Sequence, residues 1–266
     1  MPLSIRYLVL SALLFSLLPG PTLAFADQNE SGSESENPTN TTADVIDHQA
    51  FDELLSSFVD SRGMVDYARW ARSPAAIQKL SRYVRAIGTA SPEGFSETSQ
   101  LAFYLNAYNA LVIHDVIRRW PVETVINIDG FFDGKKHTIA GRELTLNELE
   151  HDEIIRVQFE EPRIHFVLVC AAVDCPRLRR DAFTAANLER ELRRATSEFL
   201  RRSTTLKEGK VITSQLFNWY GEDFVKHSGS LRRYLIDHLP AGEVREALRA
   251  DAPIEFGEYD WAINKQ

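Results

Sequence analysis

Cysteine is nearly absent: the 266-residue chain holds two, Cys170 and Cys175. A disulfide-dense small scaffold is therefore excluded, and any thiol or redox chemistry must involve this one pair. Long apolar runs are missing beyond the first twenty residues, so nothing in the body has the length of a membrane span. Positive charge is in deficit, with 30 Lys and Arg against 38 Asp and Glu and a formal net charge of −8. That balance argues against nucleic acid as the main partner, because phosphates need a basic face. With 13 Gly, 11 Pro and no internal repeat, collagen and repeat arrays do not fit. A glycine-rich phosphate loop, a Gly-x-Ser-x-Gly elbow and a zinc-peptidase helix are also absent. His48, His114, His137, His227 and His238 show no metal-ligand spacing, and no metal or cofactor is expected. What is present is 44% hydrophobic and 26% charged residues, the balance of a globular protein.

The acidity has a location. Residues 1–26 carry +1 and residues 27–50 carry −6, leaving −3 for the rest. Arg6 precedes an apolar stretch, 7–18, closed by Pro19, Gly20 and Pro21. Ala24-Phe25-Ala26 follows, the small-x-small pattern that signal peptidase accepts. Residues 1–26 are thus read as a signal peptide cleaved after Ala26, and the protein as periplasmic or secreted, with no membrane span after cleavage. Residues 27–48 are acidic and polar and read as a disordered linker. Residues 49–266 read as a single globular domain.

Apolar spacing predicts helices near 51–59, 77–88, 100–120 (capped by Ser99), 146–158 and from Thr184 or Asn187 through the stripe Leu188, Leu192, Ala195 and Phe199. Shorter helices are expected at about 215–220, 230–238 and 241–249. Extended pieces are expected at 65–67, 163–170 and 254–263, with a hairpin around Gly209 and a hairpin or ordered loop over 130–141. Helices outnumber strands and do not alternate with them. The fold class is α+β, helix-rich, with a small mixed or antiparallel sheet.

Five runs, AFYLNAYNALVIH (102–114), LTLNELEHDEIIR (144–156), EPRIHFVLVCAAVDCPRL (161–178), LFNWYGEDF (216–224) and YDWAIN (259–264), together resemble one family. It is the domain of unknown function 547 family of bacteria and plants. The resemblance covers roughly 65–264. It implies that the residues in these runs matter, and it implies no activity. Plant members carry a coiled coil ahead of the domain, where this chain has its leader and linker. Val169 departs from the family, whose members often have a small or polar residue before the first motif cysteine.

Chemistry centres on Cys170 and Cys175. Their spacing allows a structural disulfide, a nucleophilic thiol or two buried inert thiols. Were one a nucleophile, Cys175 is the choice, because strand parity over 163–170 sets His165 and Cys170 on opposite faces. His165 would be the base, with Glu150 from the helix 146–158 as its orienter; Glu150 could otherwise be a general base itself or orient His151. Glu150 shares a stripe with Leu146, Ile154 and Val157, so it needs a partner, for which Arg156 and Arg163 are candidates. Asn106 and Asn109, poor helix formers in mid-helix, would either brace a neighbouring loop or donate to an oxyanion. Trp219, Tyr220 and Phe224, with Asp223, and Tyr259-Asp260-Trp261 read first as core, where Asp223 or Asp260 would accept from the aromatic hydroxyls and indoles, and otherwise as the wall of a pocket. Two functions stay open. One is a thiol-dependent hydrolase or acyl transferase acting on a small molecule or peptide. The other is a non-catalytic exported binding module with a Cys170–Cys175 disulfide. Non-reducing peptide mapping separates them: a bridge favours the module, and a fast-alkylating thiol that depends on His165 favours the enzyme.

Overall fold

The computed structural model describes residues 43–266; the stretch read as a signal peptide, 1–26, and most of the stretch read as a linker, 27–48, lie outside them. At the centre is a helix whose middle has no exposed face. Helix α4 (Glu97–Arg119) is buried at every position from 101 to 113, with Ala102, Phe103, Leu105, Ala107 and Leu111 fully enclosed. Such a helix must be covered on all sides. Helices α1 (Gln49–Phe58), α2 (Tyr67–Ala71) and α3 (Pro74–Thr89) form a layer in which α2 and α3 touch α4, and α5 (Ile155–Phe159) also packs on it. Ser96 rather than Ser99 caps α4: the Ser96 hydroxyl accepts the Ser99 N–H at 3.2 Å.

After α4 comes an antiparallel hairpin, β1 (His137–Ile139) and β2 (Arg142–Leu144). Its turn residues, Ala140 and Gly141, have φ of 48° and 74°, as a tight two-residue turn requires. Helix α6 (Leu188–Ser203) leads into a second sheet. There β3 (Thr205–Lys207) is antiparallel to β4 (Lys210–Thr213), and β4 is parallel to β5 (Ile254–Phe256). Between β4 and β5 lie α7 (Leu216–Trp219), α8 (Gly221–Ser228), α9 (Leu231–His238) and α10 (Glu243–Arg249). With ten helices and two small sheets among the described residues, this is a single helix-rich α+β domain.

Three local expectations are corrected. The segment 163–170 is not a strand. Glu161 accepts the Arg163 N–H at 2.9 Å and Pro162 opens a 3₁₀ turn, Pro162–Phe166. The parity argument that separated His165 from Cys170 therefore does not apply. The helix 146–158 is interrupted. Its capping box forms, with the Thr145 N–H on Glu148 Oε2 at 2.7 Å and the Glu148 N–H on Thr145 Oγ1 at 3.1 Å. A π turn, Glu148–Asp152, then adds a residue and shifts the phase, leaving Val157 58% exposed. The end of the stretch read as linker is anchored: Asp44 accepts the Ala185 N–H at 2.7 Å, and His48 Nδ1 lies 2.6 Å from the Tyr83 hydroxyl. Helices α2 and α8 were not anticipated, because both are short and bury few residues.

The hairpin is held to α4 by a buried charge cluster. Asp115 is 0% exposed and pairs with Lys135, with Arg119 Nη1 and His137 Nε2 each 3.5 Å away. Burial works to raise its pKa, but contacts with His114 and Lys135 and the charge of His137 hold it at about 2. Burial also pushes His137 down to about 4 and lowers His48 and His165. A histidine depressed in the folded state stabilises fully above its unfolded pKa of 6.5 and loses that contribution as pH falls toward the folded value. The melting temperature is accordingly expected to fall between pH 6.5 and about 4, and His137→Gln to flatten that decline in a pH series of thermal melts.

Candidate functional site

The two cysteines are joined in a disulfide, with Cα atoms 6.3 Å apart. The loop they close is built from backbone pairing. Ala171 takes a positive φ of 66°, and Ala172 bridges antiparallel to Ile263. The Val173 N–H donates to Ala262 O at 2.8 Å, and the Asn264 N–H to Ala171 O at 2.9 Å. The chain from Tyr259 to Asn264 thus clips the cysteine loop in place. Tyr259 donates its hydroxyl to Cys175 Sγ at 3.2 Å, the Cys170 N–H donates to the same sulfur at 3.1 Å, and Arg202 donates to Cys175 O at 2.6 Å. Among the described residues no cysteine is free.

Beside the bridge lies a hollow of about 240 Å³. The π turn contributes Glu150 and His151, the 3₁₀ turn His165, and α4 Tyr108. Trp219, Tyr220, Tyr259 and Trp261 provide further wall, together with Phe132 and both sulfurs. Glu150, His151, His165, Cys170 and Cys175, all singled out in the sequence, therefore border one space. The partners of Glu150 differ from those expected. Arg156 binds Asp223, and Arg163 binds Glu161 and Glu189. The Glu150 carboxylate instead accepts the Tyr220 hydroxyl at 3.3 Å and has His151 Nε2 at 3.7 Å. Burial, reinforced by the Glu150 charge, pushes the Tyr108 and Tyr220 phenols up, so both remain donors.

His165 is oriented by Asp223, not by Glu150. Its Nε2 lies 2.7 Å from Asp223 Oδ2, and Arg156 reaches the same carboxylate through Nε at 2.8 Å and Nη2 at 2.7 Å. Burial opposes ionisation of Asp223, but the bonds from His165 and Arg156 outweigh it and hold the pKa well below the usual carboxylate range. An ionised Asp223 requires the proton on Nε2, which leaves the buried Nδ1 as an acceptor without a partner among the described residues. The ring stacks on Tyr220 with centroids 3.9 Å apart. Burial depresses its pKa, so the imidazole is neutral near pH 7. Asp223 sits four residues after Trp219 in a quoted motif, but sequence reading gave it only a role as acceptor for an aromatic hydroxyl or indole. Nothing in the spacing links 223 to 165.

Asn106 and Asn109 stand apart from the hollow. The Asn106 amide donates to Phe183 O at 2.7 Å and accepts the Phe183 N–H at 2.9 Å. The Asn109 amide donates to Val167 O at 3.0 Å and accepts the Val169 N–H at 3.0 Å. Each side chain acts as a substitute strand for a segment laid over α4. Both amides brace backbone across α4, and neither residue lines the hollow.

Fold and site define a helix-rich α+β domain with a bridged cysteine pair against an aromatic hollow. Residues 92–200 match the family described as protein of unknown function DUF547, in agreement with the motif resemblance. The matched stretch includes α4, Glu150, His151, His165 and both cysteines. No curated protein and no solved structure matches the chain.

Asn109→Ala strands the buried Val167 carbonyl and Val169 N–H, and a loss of about 3 kcal/mol is expected, read from urea unfolding midpoints.

Proposed function

We propose that this is an exported, non-catalytic binding protein that holds a small organic molecule in the hollow beside the Cys170–Cys175 bridge. One observation carries the reading: both sulfurs are committed to a bridge that forms part of an aromatic-lined concavity. Small-molecule sites are concave, mostly apolar and equipped with a few polar groups, here Glu150 and the imidazoles. Export is supported by the leader-like first 26 residues and by a bridge that persists in oxidising compartments.

A second reading is favoured by a different observation, that Glu150, His165 and both sulfurs border the same space. If the bridge were reduced, Cys175 would become a thiol in reach of the hollow, with Tyr259 hydrogen-bonded to its sulfur. His165, oriented by Asp223, would supply a base through Nδ1, as a thiol-dependent hydrolase or acyl transferase requires.

One tryptic peptide, 164–177, holds both cysteines. From protein purified without reductant it is expected to be two hydrogens lighter than its reduced form and unmodified after iodoacetamide. Rapid alkylation of untreated protein near neutral pH, lost in His165→Ala, would replace the binding reading with the thiol one.

A further inference from the structure

We propose that the hollow selects an organic cation, an alkylated ammonium group, through the Glu150 carboxylate and the rings of Trp219, Tyr259 and Trp261. This rests on the binding reading above and names the class of ligand.

The charge argument comes first. Glu150 is 5% exposed, and no Lys or Arg lies within 4.0 Å of it among the described residues. None of the side chains lining the hollow is Lys or Arg. Arg156 feels the Glu150 charge, but its Nε and Nη2 are bound to Asp223, which cancels it. With His165 neutral, Glu150, Asp223 and Arg156 sum to one negative charge beside the hollow, and the titratable base nearest to Glu150 is His151, its Nε2 3.7 Å away. A buried carboxylate without a cation is costly, and an apolar or anionic occupant would worsen its position by displacing water. A cationic occupant neutralises it.

The rings say which cation. Trp219, Tyr259 and Trp261 stand in mutual contact, with centroids 4.9, 5.7 and 4.7 Å apart. Trp219 is 45% exposed, although indole is a large apolar group. Aromatic faces around a small space attract cations, most strongly when water is displaced. A primary ammonium needs hydrogen-bond acceptors for its three protons. Besides the one carboxylate the lining offers the Asn147 amide, the Tyr108 hydroxyl and the imidazoles of His151 and His165, and the Tyr220 and Tyr259 hydroxyls are already directed at Glu150 and Cys175 Sγ. An alkylated ammonium needs no such acceptors. It presents methyl groups to the rings and its diffuse charge to Glu150.

The test compares choline with its neutral isostere 3,3-dimethylbutan-1-ol, and tetramethylammonium with propylammonium, by calorimetry on the intact disulfide-bonded protein. Choline is expected to bind at least about tenfold more tightly than the isostere, and tetramethylammonium more tightly than propylammonium. Glu150→Gln, which keeps shape and removes charge, should erase most of the choline advantage. Equal binding of choline and the isostere would overturn the cation assignment and leave the binding reading intact. Stronger binding of propylammonium would overturn the alkylated class. No heat from any of the four probes at millimolar concentration would overturn the cation assignment, and the binding reading would still stand or fall on the state of the 164–177 peptide. The wild-type comparison does not depend on any variant folding.

Discussion

The site depends on how a buried helix holds irregular chain against itself through two asparagines. Helix α4 is buried at every position from 101 to 113, and the segments crossing it, 167–169 and 182–184, lie outside any helix or strand and need backbone partners. Asn109 and Asn106 supply them, each giving one donor and one acceptor at strand-like distances. These two amides fix the backbone between His165 and Cys170 and the turn that leads into α6. Replacing them with apolar side chains would leave the helix covered but its cover unregistered.

The second level of control is the chain from Tyr259 to Gln266. It pairs with Ala172 on one side and with Val65 on the other, and Tyr67 adds a hydroxyl bond to Asn264 Oδ1 at 3.0 Å. The cysteine loop is therefore bounded by its own bridge, by this segment and by Arg202 from α6. Tyr259 belongs both to the clip and to the hollow, so the element that anchors the loop also supplies wall.

Legibility in the sequence followed the range of the interaction. The capping box at Thr145 and Glu148, the hairpin around Gly209 and the stripe of α6 are local, and each formed where the residues indicated. Glu150, His151, His165 and the cysteines were recognisable as unusual residue types in apolar runs, and they do meet. What was not legible was partnership. Asp223 belongs to His165 across 58 positions, and Arg156 to Asp223 across 67. The 3₁₀ turn at Pro162 and the π turn at Glu148 also defeated regular periodicity. Both displace a single residue's phase, which a pattern built on repeats of 2 or 3.6 does not register.

The walls of the hollow are drawn from positions 108, 132, 147–151, 165–176, 216–220 and 259–261. The stretch that matches the family, 92–200, lacks Trp219, Tyr220, Tyr259 and Trp261. A fragment cut to that stretch would keep both cysteines and the imidazole while losing a third of the residues that line the hollow, Leu216 among them. Because the concavity exists only when distant parts of the domain have docked, whatever occupies it draws its affinity from the cooperative folding unit. By linkage, that occupant would raise the unfolding transition of the domain as one step.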